Sequence, residues 1–365
     1  VNYLNFVDQW NEEKKYLIPI LKKVMGSGHY VGVNAKEITK FENNVKKLIE
    51  TKYAIALNSG TDALTLAMHS MGIKRGDEVI TPSNSYVAST GAIVHLGAVP
   101  VFVDVLPDQN IDPKKIEAAI TKKTKAIMPV HLTGRSCQMD EIMKISKKYK
   151  IPVVEDCAQA FGSKFKNKSC GSFGAVGCFS THPLKNLNGM GDGGFVVTND
   201  QKIAKYIGKI RNHGLKSRDE LECFGYVSRM DNIQAAILNF RLSKIKKIIN
   251  KRRYNAKYYH NKLDRRYIYS PPENRNQFNT YHTFVIQVPN RDKLKKFLKT
   301  KKISTYVHYP IPIHKQNAYK KMHFKTAPLP VTELQSRQIL SIPVHHNLTK
   351  KKLKYVVDTI NSFYK

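Results

Sequence analysis

The sequence is poor in cysteine and has no long apolar run, and both shortages limit what the protein can be. No two cysteines form a C-x-x-C pair and their number is odd, so we predict reduced thiols and neither a disulfide framework nor a metal site. The five cysteines are Cys137, Cys157, Cys170, Cys178 and Cys223. No segment reaches transmembrane length, and the first residues lack the apolar core of a signal peptide. We therefore expect a cytoplasmic protein with no membrane partner.

Acidic residues are also scarce. The chain has 28 Asp and Glu against 61 Lys and Arg, which gives a formal net charge of +33. A charge of this size would suit a polyanionic partner such as nucleic acid. The basic residues are, however, spread along the chain, and the densest stretch, 241–267, has apolar residues at helical spacing that predict an amphipathic helix. Because no recognition motif accompanies the charge, nucleic-acid binding is only an alternative function.

The pattern between residues 50 and 160 alternates between short apolar runs and amphipathic segments. Runs such as "YAIAL" and "DEVITP" predict strands, and segments such as "TDALTLAMHSMG" predict helices. This alternation indicates an α/β fold, with a mostly parallel central sheet flanked by helices. We predict a large domain at 1–245, whose segment 1–30 packs on a smaller C-terminal α+β domain at 246–365. In the small domain, "YHTFVIQV" and "ISTYVHYP" are predicted strands.

Two segments suggest a ligand site at the ends of predicted strands. In "LNSGTDAL", Gly60 allows a tight turn before a helix whose free N–H groups attract anions, and the Thr61 hydroxyl adds a donor. In "VVEDCAQA", Asp156 follows an apolar strand, where a partly buried carboxylate needs a positive partner. Taken alone, the first segment is also typical of an ordinary capped helix, and the second favours a helix N-cap or a structural ion pair.

A third segment, "FSTHPLKNLNGMGDGG" at 179–194, adds a lysine. Lys185 lies between an apolar strand and a glycine-rich turn, and a lysine placed in a pocket has a lowered pKa and attacks carbonyl groups. Ser180 can donate to a phosphate. An anion site, a carboxylate and a lysine at strand ends are what pyridoxal phosphate requires. Tyr86, in "PSNSYVAST", offers a ring to stack on this cofactor.

Seven segments together resemble the DegT-type sugar aminotransferases, which belong to the fold type I pyridoxal-phosphate enzymes. The resemblance covers nearly the whole chain, and it implies the fold of that class. The segments are "GSGHYVG", "SGTDAL", "PVHLTGR", "EDCAQAFGS", "FSTHPLKNLNGMGDGG", "SRMDNIQAAIL" and "VHYPIPIHKQNAY".

The resemblance also implies a role for individual residues. Lys185 forms the Schiff base with the cofactor, and Asp156 pairs with the pyridinium nitrogen. Gln159 contacts the hydroxyl side of the ring, and Tyr86 stacks on the ring. The residues implied to hold the phosphate are Gly60, Thr61, Asp62 and Ser180. The residues implied to face the substrate are Arg229, His308, Tyr309 and His314.

Two comparisons with the family refine this interpretation. Relatives that dehydrate their substrate have histidine in place of the lysine, so Lys185 argues against that reaction. The family usually places an asparagine at position 227, from which it reaches the cofactor phosphate of the neighbouring subunit. This chain has Val227, whose side chain cannot make that hydrogen bond.

The activity implied is transfer of an amino group from glutamate or glutamine to a nucleotide-diphosphate keto-sugar. The enzyme would be a homodimer and would alternate between pyridoxal phosphate and pyridoxamine phosphate. The loop "KNLNGMGDGG" favours amination at carbon 3 of the sugar over carbon 4. The alternatives from other classes are a non-catalytic regulator that binds pyridoxal phosphate and a basic nucleic-acid-binding protein.

Overall fold

The computed structural model describes residues 1–365, which form thirteen α-helices and twelve β-strands. The helices are α1 (Phe6–Gly26), α2 (Lys36–Ile49), α3 (Gly60–Ser70), α4 (Val87–His95), α5 (Pro113–Ile116), α6 (Met139–Tyr149), α7 (Gln201–Ile210), α8 (Asn232–Leu242), α9 (Ile245–Lys262), α10 (Arg291–Thr300), α11 (Asn317–Lys320), α12 (Pro330–Gln338) and α13 (Lys350–Ser362). The strands are β1 (Tyr53–Leu57), β2 (Glu78–Pro82), β3 (Val99–Val103), β4 (Thr124–Ile127), β5 (Val154–Asp156), β6 (Lys164–Phe165), β7 (Lys168–Ser169), β8 (Val176–Ser180), β9 (Gly194–Thr198), β10 (Gln277–Phe278), β11 (Phe284–Gln287) and β12 (Ile339–Ile342).

The central sheet is mostly parallel. Strands β1-β9-β8-β5 and β4-β2-β3 form two groups, which parallel bridges from Ile127 to Val153 and from Val130 to Asp156 join into one sheet. Only β9 runs against its neighbours, because it pairs antiparallel with both β1 and β8. The α/β fold with a mostly parallel sheet is therefore confirmed. All parallel strands end at the same edge of the sheet, where the predicted site residues follow them.

Both faces of this sheet are buried, which explains the nearly continuous apolar strands. In β1, Ile55 and Leu57 belong to one apolar core, whereas Ala54 and Ala56 belong to a second core on the opposite face. Helices α3, α4 and α7 supply side chains to the first core, and α2 and α8 supply the second. Alternate residues of a strand point to opposite faces, so a strand between two helical layers needs apolar residues at every position.

A separate apolar core lies in the C-terminal part of the chain and is built from α10, α13, β11, β12 and the end of α9. Helix α9 joins the two regions, because Ile245 and Ile249 lie in the core shared with α8 while Ala256 and Tyr259 lie in the C-terminal core. The stretch 241–267 is thus not one helix, since α8 ends at Leu242 before α9 begins. The division of domains at 245/246 stays a prediction.

The segment "ISTYVHYP" does not form the predicted strand. Only Tyr306 pairs with β12, through two hydrogen bonds with Ser341 of 3.1 and 2.7 Å. The residues that follow turn away, since the Tyr309 N–H donates to Asn84 Oδ1 at 3.2 Å and Pro310 has no N–H to offer. Side-chain contacts with the large sheet therefore replace the strand ladder.

The first residues of the chain pack on the C-terminal core, whereas α1 packs on α8, where Glu13 pairs with Arg241 at 2.8 Å. The Ser304 N–H donates to the Val1 carbonyl at 2.9 Å, and the Tyr3 and Tyr306 rings lie 4.8 Å apart. All five cysteines are free, and four of them are buried. None of the helices combines the length and the apolar character that crossing a membrane requires.

Candidate active site

The first part of the site is a close approach of three segments at the end of β1. Ser59 caps α3 by accepting a hydrogen bond from the Asp62 N–H at 3.1 Å, and the first N–H groups of the helix have no partner within it. A Cβ on Gly60 would lie 2.6 Å from Ser180 Cβ, and one on Gly194 would lie 2.3 Å from the Ser59 carbonyl oxygen. Glycine at both positions lets β8 and β9 approach the helix start, so Gly60, Thr61, Asp62 and Ser180 lie together where free N–H groups would suit an anion. We call these four residues the α3 corner.

The second part is a buried carboxylate that has no cationic partner. Asp156 ends β5 and is 4% exposed. Its Oδ2 accepts from Ser89 Oγ at 2.7 Å, and its Oδ1 accepts from the Ala158 N–H at 3.0 Å. Two neutral donors compensate a buried negative charge only in part, because a buried charge is normally paired. A protonated pyridine nitrogen would supply the missing positive charge, so Asp156 fits pyridoxal phosphate.

The third part is Lys185, which is half-buried in the loop between β8 and β9. Desolvation by burial lowers the pKa of its amino group to about 8, and the nearby charge of Asp156 opposes that shift. The loop is held by Asn186 Nδ2, which donates to the Thr280 carbonyl at 3.2 Å, and by the fully buried Leu187. An amine with this pKa is partly uncharged near neutral pH and can act as a nucleophile or a base.

Gln159 and two tyrosines continue the site beyond Asp156. The Thr133 N–H donates to Gln159 Oε1 at 2.7 Å, and Gln159 Nε2 lies 3.2 Å from Tyr309 Oη. The ring of Tyr309 lies 6.0 Å from that of Tyr86, which is 57% exposed. Tyr309 was predicted to face the substrate, and the structure brings it into contact with residues predicted to hold the cofactor.

The other three residues predicted to face the substrate differ in their surroundings. His308 is close enough to Lys185 for that charge to add to burial in lowering the pKa of the imidazole to about 4. Both ring nitrogens of His314 have protein partners, Ser83 at 2.7 Å and Glu333 at 3.2 Å. Arg229 donates to Asn212 Oδ1 at 3.2 Å. The structure therefore brings His308 to the lysine and gives the other two alternative partners.

Sequence reasoning missed the polar residues that support the site from within. Ser89 holds Asp156, and Ser85 holds Ser89 through a 2.6 Å hydrogen bond between their hydroxyls. Asn84 accepts from the Tyr309 N–H, and its own amide nitrogen is buried without a partner. All three are buried, and all lie in "PSNSYVAST" just after β2. A dense polar run directly after an apolar strand was the signal that could have revealed them.

Comparison with known proteins identifies the family of the chain. Residues 11–361 match the DegT/DnrJ/EryC1/StrS aminotransferase family. The chain is 36% identical over 369 residues to a pleiotropic regulatory protein of Geobacillus stearothermophilus, with 100% of this chain and 99% of that protein covered. It is 39% identical to dTDP-3-amino-3,6-dideoxy-alpha-D-galactopyranose transaminase of Aneurinibacillus thermoaerophilus, with 96% of each covered. It is 37% identical to UDP-2-acetamido-2-deoxy-3-oxo-D-glucuronate aminotransferase of Pseudomonas aeruginosa, with 97% and 98% covered.

Solved structures agree with the sequence comparison. The fold superimposes on DesV of Streptomyces venezuelae with a TM-score of 0.96 at 34% identity, covering 100% of this chain and 98% of that one. It superimposes on NtdA of Bacillus subtilis, solved with bound cofactor PMP, with a TM-score of 0.92 at 31% identity, covering 99% of this chain and 84% of that one. The chain therefore belongs to the DegT/DnrJ/EryC1/StrS aminotransferase family.

Proposed function

We propose that the protein transfers an amino group from glutamate or glutamine to a nucleotide-linked keto-sugar, at carbon 3 of the sugar. The observation that carries the proposal is the half-buried Lys185, whose amine has a pKa of about 8, close to the buried and unpaired Asp156. The sugar and the carbon are supported by the Aneurinibacillus and Pseudomonas relatives, whose names place the reacting group at carbon 3 of a nucleotide sugar.

The enzyme is a transaminase, and its cofactor is pyridoxal phosphate. When bound, this cofactor takes the amino group from the donor and passes it to the acceptor, while its ring absorbs the electrons released at the donor's α carbon. In our proposal, the N-terminus of α3 and the Ser180 hydroxyl hold the phosphate, Tyr86 packs on the ring, and Gln159 contacts the hydroxyl side of the ring.

Proton transfer falls to two residues in this proposal. The amino group of Lys185 would take the proton from the donor's α carbon and deliver it to the cofactor, because an amine with a pKa near the working pH suits both directions. Asp156 keeps the proton on the ring nitrogen, since its carboxylate pairs with a positive charge better than with a neutral ring. Ser89 fixes the orientation of that carboxylate. His308, which lies near Lys185, contacts the substrate.

A homodimer is also part of the proposal. The loop 221–227 exposes Phe224 at 93%, together with Leu221, Tyr226 and Val227 at 42–55%. Exposed apolar clusters of this kind are typical of interaction surfaces. The loop is held near the site because Asn58 Nδ2 donates to the Val227 carbonyl at 3.4 Å, and Asn58 directly precedes the cap of α3.

The test is a panel of nucleotide-linked 3-keto and 4-keto sugars, each incubated with glutamate or glutamine. Mass spectrometry detects the amino-sugar, and NMR locates the amino group. We expect a 3-amino product. A 4-amino product would move the reaction to carbon 4, and absence of turnover with every sugar and donor would favour the regulatory role that the name of the Geobacillus relative suggests.

A further inference from the structure

One cavity touches Lys185 but not Asp156, Gln159 or Tyr86, the residues proposed to contact the cofactor ring. It lies between the N-terminal segment, the lysine loop and the C-terminal core, and it is lined by residues that include Tyr3, Lys185, Arg252, His282, His308 and His346. Its volume is about 60 Å³, measured as the space open to the centre of a water molecule. One water needs about 10–15 Å³ on the same measure, so a group the size of a carboxylate fits.

The cavity contains a buried cation that lacks a carboxylate. Arg252 is 8% exposed, its Nη1 donates to the carbonyls of Tyr281 and His282 at 3.1 and 3.2 Å, and its Nε has no acceptor. Burial lowers the pKa of its guanidinium only to about 10, so the charge persists at neutral pH. A buried charge whose donors are satisfied only in part, and only by neutral groups, is costly and calls for a ligand or another explanation.

The other four buried arginines are satisfied more fully than Arg252. Three of them pair with a carboxylate, and the fourth donates both Nη groups to three oxygens. The three pairs are Arg211 with Glu42 at 2.7 Å, Arg241 with Glu13 at 2.8 Å and Arg291 with Asp292 at 2.7 Å, and the fourth is Arg135. Arg252 differs from these four, because it has neither a carboxylate partner nor a protein acceptor for its second Nη group.

The remaining lining of the cavity suits an anion. No Asp or Glu lines it. The Tyr3 hydroxyl and the Nδ1 atoms of His282 and His346 are buried without a hydrogen-bond partner. Burial and the charge of Arg252 lower the pKa of His346 to about 3, so its ring is neutral and competes little with Arg252 for the ligand. Arg252 thus has neutral polar neighbours and no negative one.

We propose that Arg252 binds the carboxylate of the amino donor and thereby places the donor's amino group at Lys185. The inference rests on the proposed function, since it assumes an amino-acid donor. In such a donor the carboxylate and the amine share one carbon atom, so a receptor for the carboxylate must adjoin the site where the amine reacts. Lys185 and Arg252 line one cavity and meet this requirement. The planar guanidinium also matches a carboxylate in two hydrogen bonds.

Titration calorimetry of the holoenzyme with glutarate tests this site without turnover. Glutarate carries the two carboxylates of glutamate but no amine. Arg252→Gln should weaken glutarate binding about tenfold to hundredfold, as expected for loss of a charge-assisted pair. The control is Arg253→Gln, next on the same helix, because Arg253 pairs with Glu273 at 3.0 Å and does not line the cavity. Equal affinities in the two variants would overturn the proposal.

A second variant separates a folding defect from a binding defect, and a kinetic measurement tests the donor site during turnover. If Arg252→Gln does not fold, Arg252→Lys replaces it, and affinity should still fall because lysine keeps the charge but loses the paired geometry. The half-reaction with glutamate should show a raised donor KM in the Arg252 variant and a smaller change in kcat, because the lost contact is to the donor's carboxylate and not to the reacting amine. An unchanged donor KM would contradict the role of Arg252 but not the proposed function. If no sugar is aminated while glutarate binding still depends on Arg252, the proposed sugar substrate is wrong and the role of Arg252 stands.

Discussion

In the proposed function, the amino group of Lys185 carries the chemistry of this chain. We predict that borohydride reduction of the holoenzyme attaches the cofactor to Lys185, and peptide mapping by mass spectrometry checks this. Lys185→Ala should keep cofactor through the α3 corner and Asp156 but lose turnover. Lys144→Ala, at an exposed lysine of α6, is the control and should behave as wild type. A label on any other lysine would contradict the assignment.

The same pKa gives a prediction about pH. Burial lowers the pKa of Lys185 from 10.5 to about 8, and the uncharged amine is the form that attacks the cofactor aldehyde. The rate at which apoenzyme captures pyridoxal phosphate should therefore rise as the pH increases from 6 to 9, with a midpoint near 8. Stopped-flow absorbance measures this rate. A rate that still rises tenfold per pH unit above 9 would show that the lysine has its ordinary pKa.

Asp156 permits a second test at this scale. Asp156→Asn keeps the size of the side chain but removes the charge, so the fold and cofactor binding should survive. Proton abstraction from the donor should slow about 100-fold or more, because a neutral amide stabilises a positive ring nitrogen poorly. Single-turnover absorbance with glutamate measures the rate. Asp200→Asn, which changes the cap of α7, is the matched control, and similar rates in both variants would make Asp156 structural.

Individual residues also mark what the sequence could and could not predict. Lys185, Asp156 and Gly60 were predictable because each follows an apolar strand, where a parallel sheet binds its ligands. The carboxylate of Asp156 depends equally on Ser89, 67 positions away, which is a contact that no local pattern encodes. Arg252 was read as part of a basic helix face, since periodicity does not show that a single arginine turns inward and lacks a partner.

At the scale of elements, the junction of β1 and α3 depends on the absence of a side chain at Gly60. Gly60→Ala would place a Cβ 2.6 Å from Ser180 Cβ, so β8 or α3 must shift. We predict a loss of about 1–3 kcal/mol in the free energy of unfolding, together with weaker cofactor binding. Thermal unfolding of holoenzyme and apoenzyme measures both.

The control for this junction is Gly91→Ala in α4, where an added Cβ meets nothing within 4 Å. Alanine favours a helix over glycine by about 1 kcal/mol, so this variant should be slightly stabilised. A Gly60→Ala protein as stable as wild type, with unchanged cofactor affinity, would show that the corner tolerates the methyl group.

Elements were predictable where local pattern and tertiary environment agree. Strand β1 and helix α3 satisfy both, because their apolar residues match the cores on the two faces of the sheet. The break between α8 and α9 was missed because apolar residues keep helical spacing across Leu242 and Ile245. The segment "ISTYVHYP" has the composition of a strand, but Tyr309 bonds to Asn84 and Gln159 instead. Long-range hydrogen bonds overrode local propensity there.

For the whole molecule, the proposed dimer places an exposed apolar loop in contact with a second copy. Phe224 is 93% exposed in the monomer, and burying a phenylalanine side chain against a partner lowers the free energy. Phe224→Glu should shift the protein toward monomer, which light scattering across a dilution series detects. Leu334→Glu, at an apolar residue of α12 that is 47% exposed, is the control. Equal dimer stability in the two variants would place the interface elsewhere.

The proposed dimer also bears on the role of Val227. In the family the asparagine at this position reaches the phosphate of the neighbouring subunit, and the Val227 side chain here is 55% exposed, with only its carbonyl held by Asn58. Val227→Asn should therefore leave the monomer fold intact and tighten cofactor binding by about 1 kcal/mol, roughly a fivefold fall in Kd, through one added hydrogen bond to the phosphate. Cofactor dissociation at fixed protein concentration measures this.

The decisive variant combines both changes. If the asparagine acts across the interface, Phe224→Glu should cancel the gain from Val227→Asn, because a monomer offers no neighbouring phosphate. If it acts within one subunit, the gain should persist in the double variant, since effects at uncoupled sites add. Weaker binding in Val227→Asn alone would mean that another group already fills this place. Arg211 is a poor candidate for that group because it pairs with Glu42 at 2.7 Å. His213, whose backbone N–H donates to the Tyr226 carbonyl at 2.8 Å, is therefore the residue to change next.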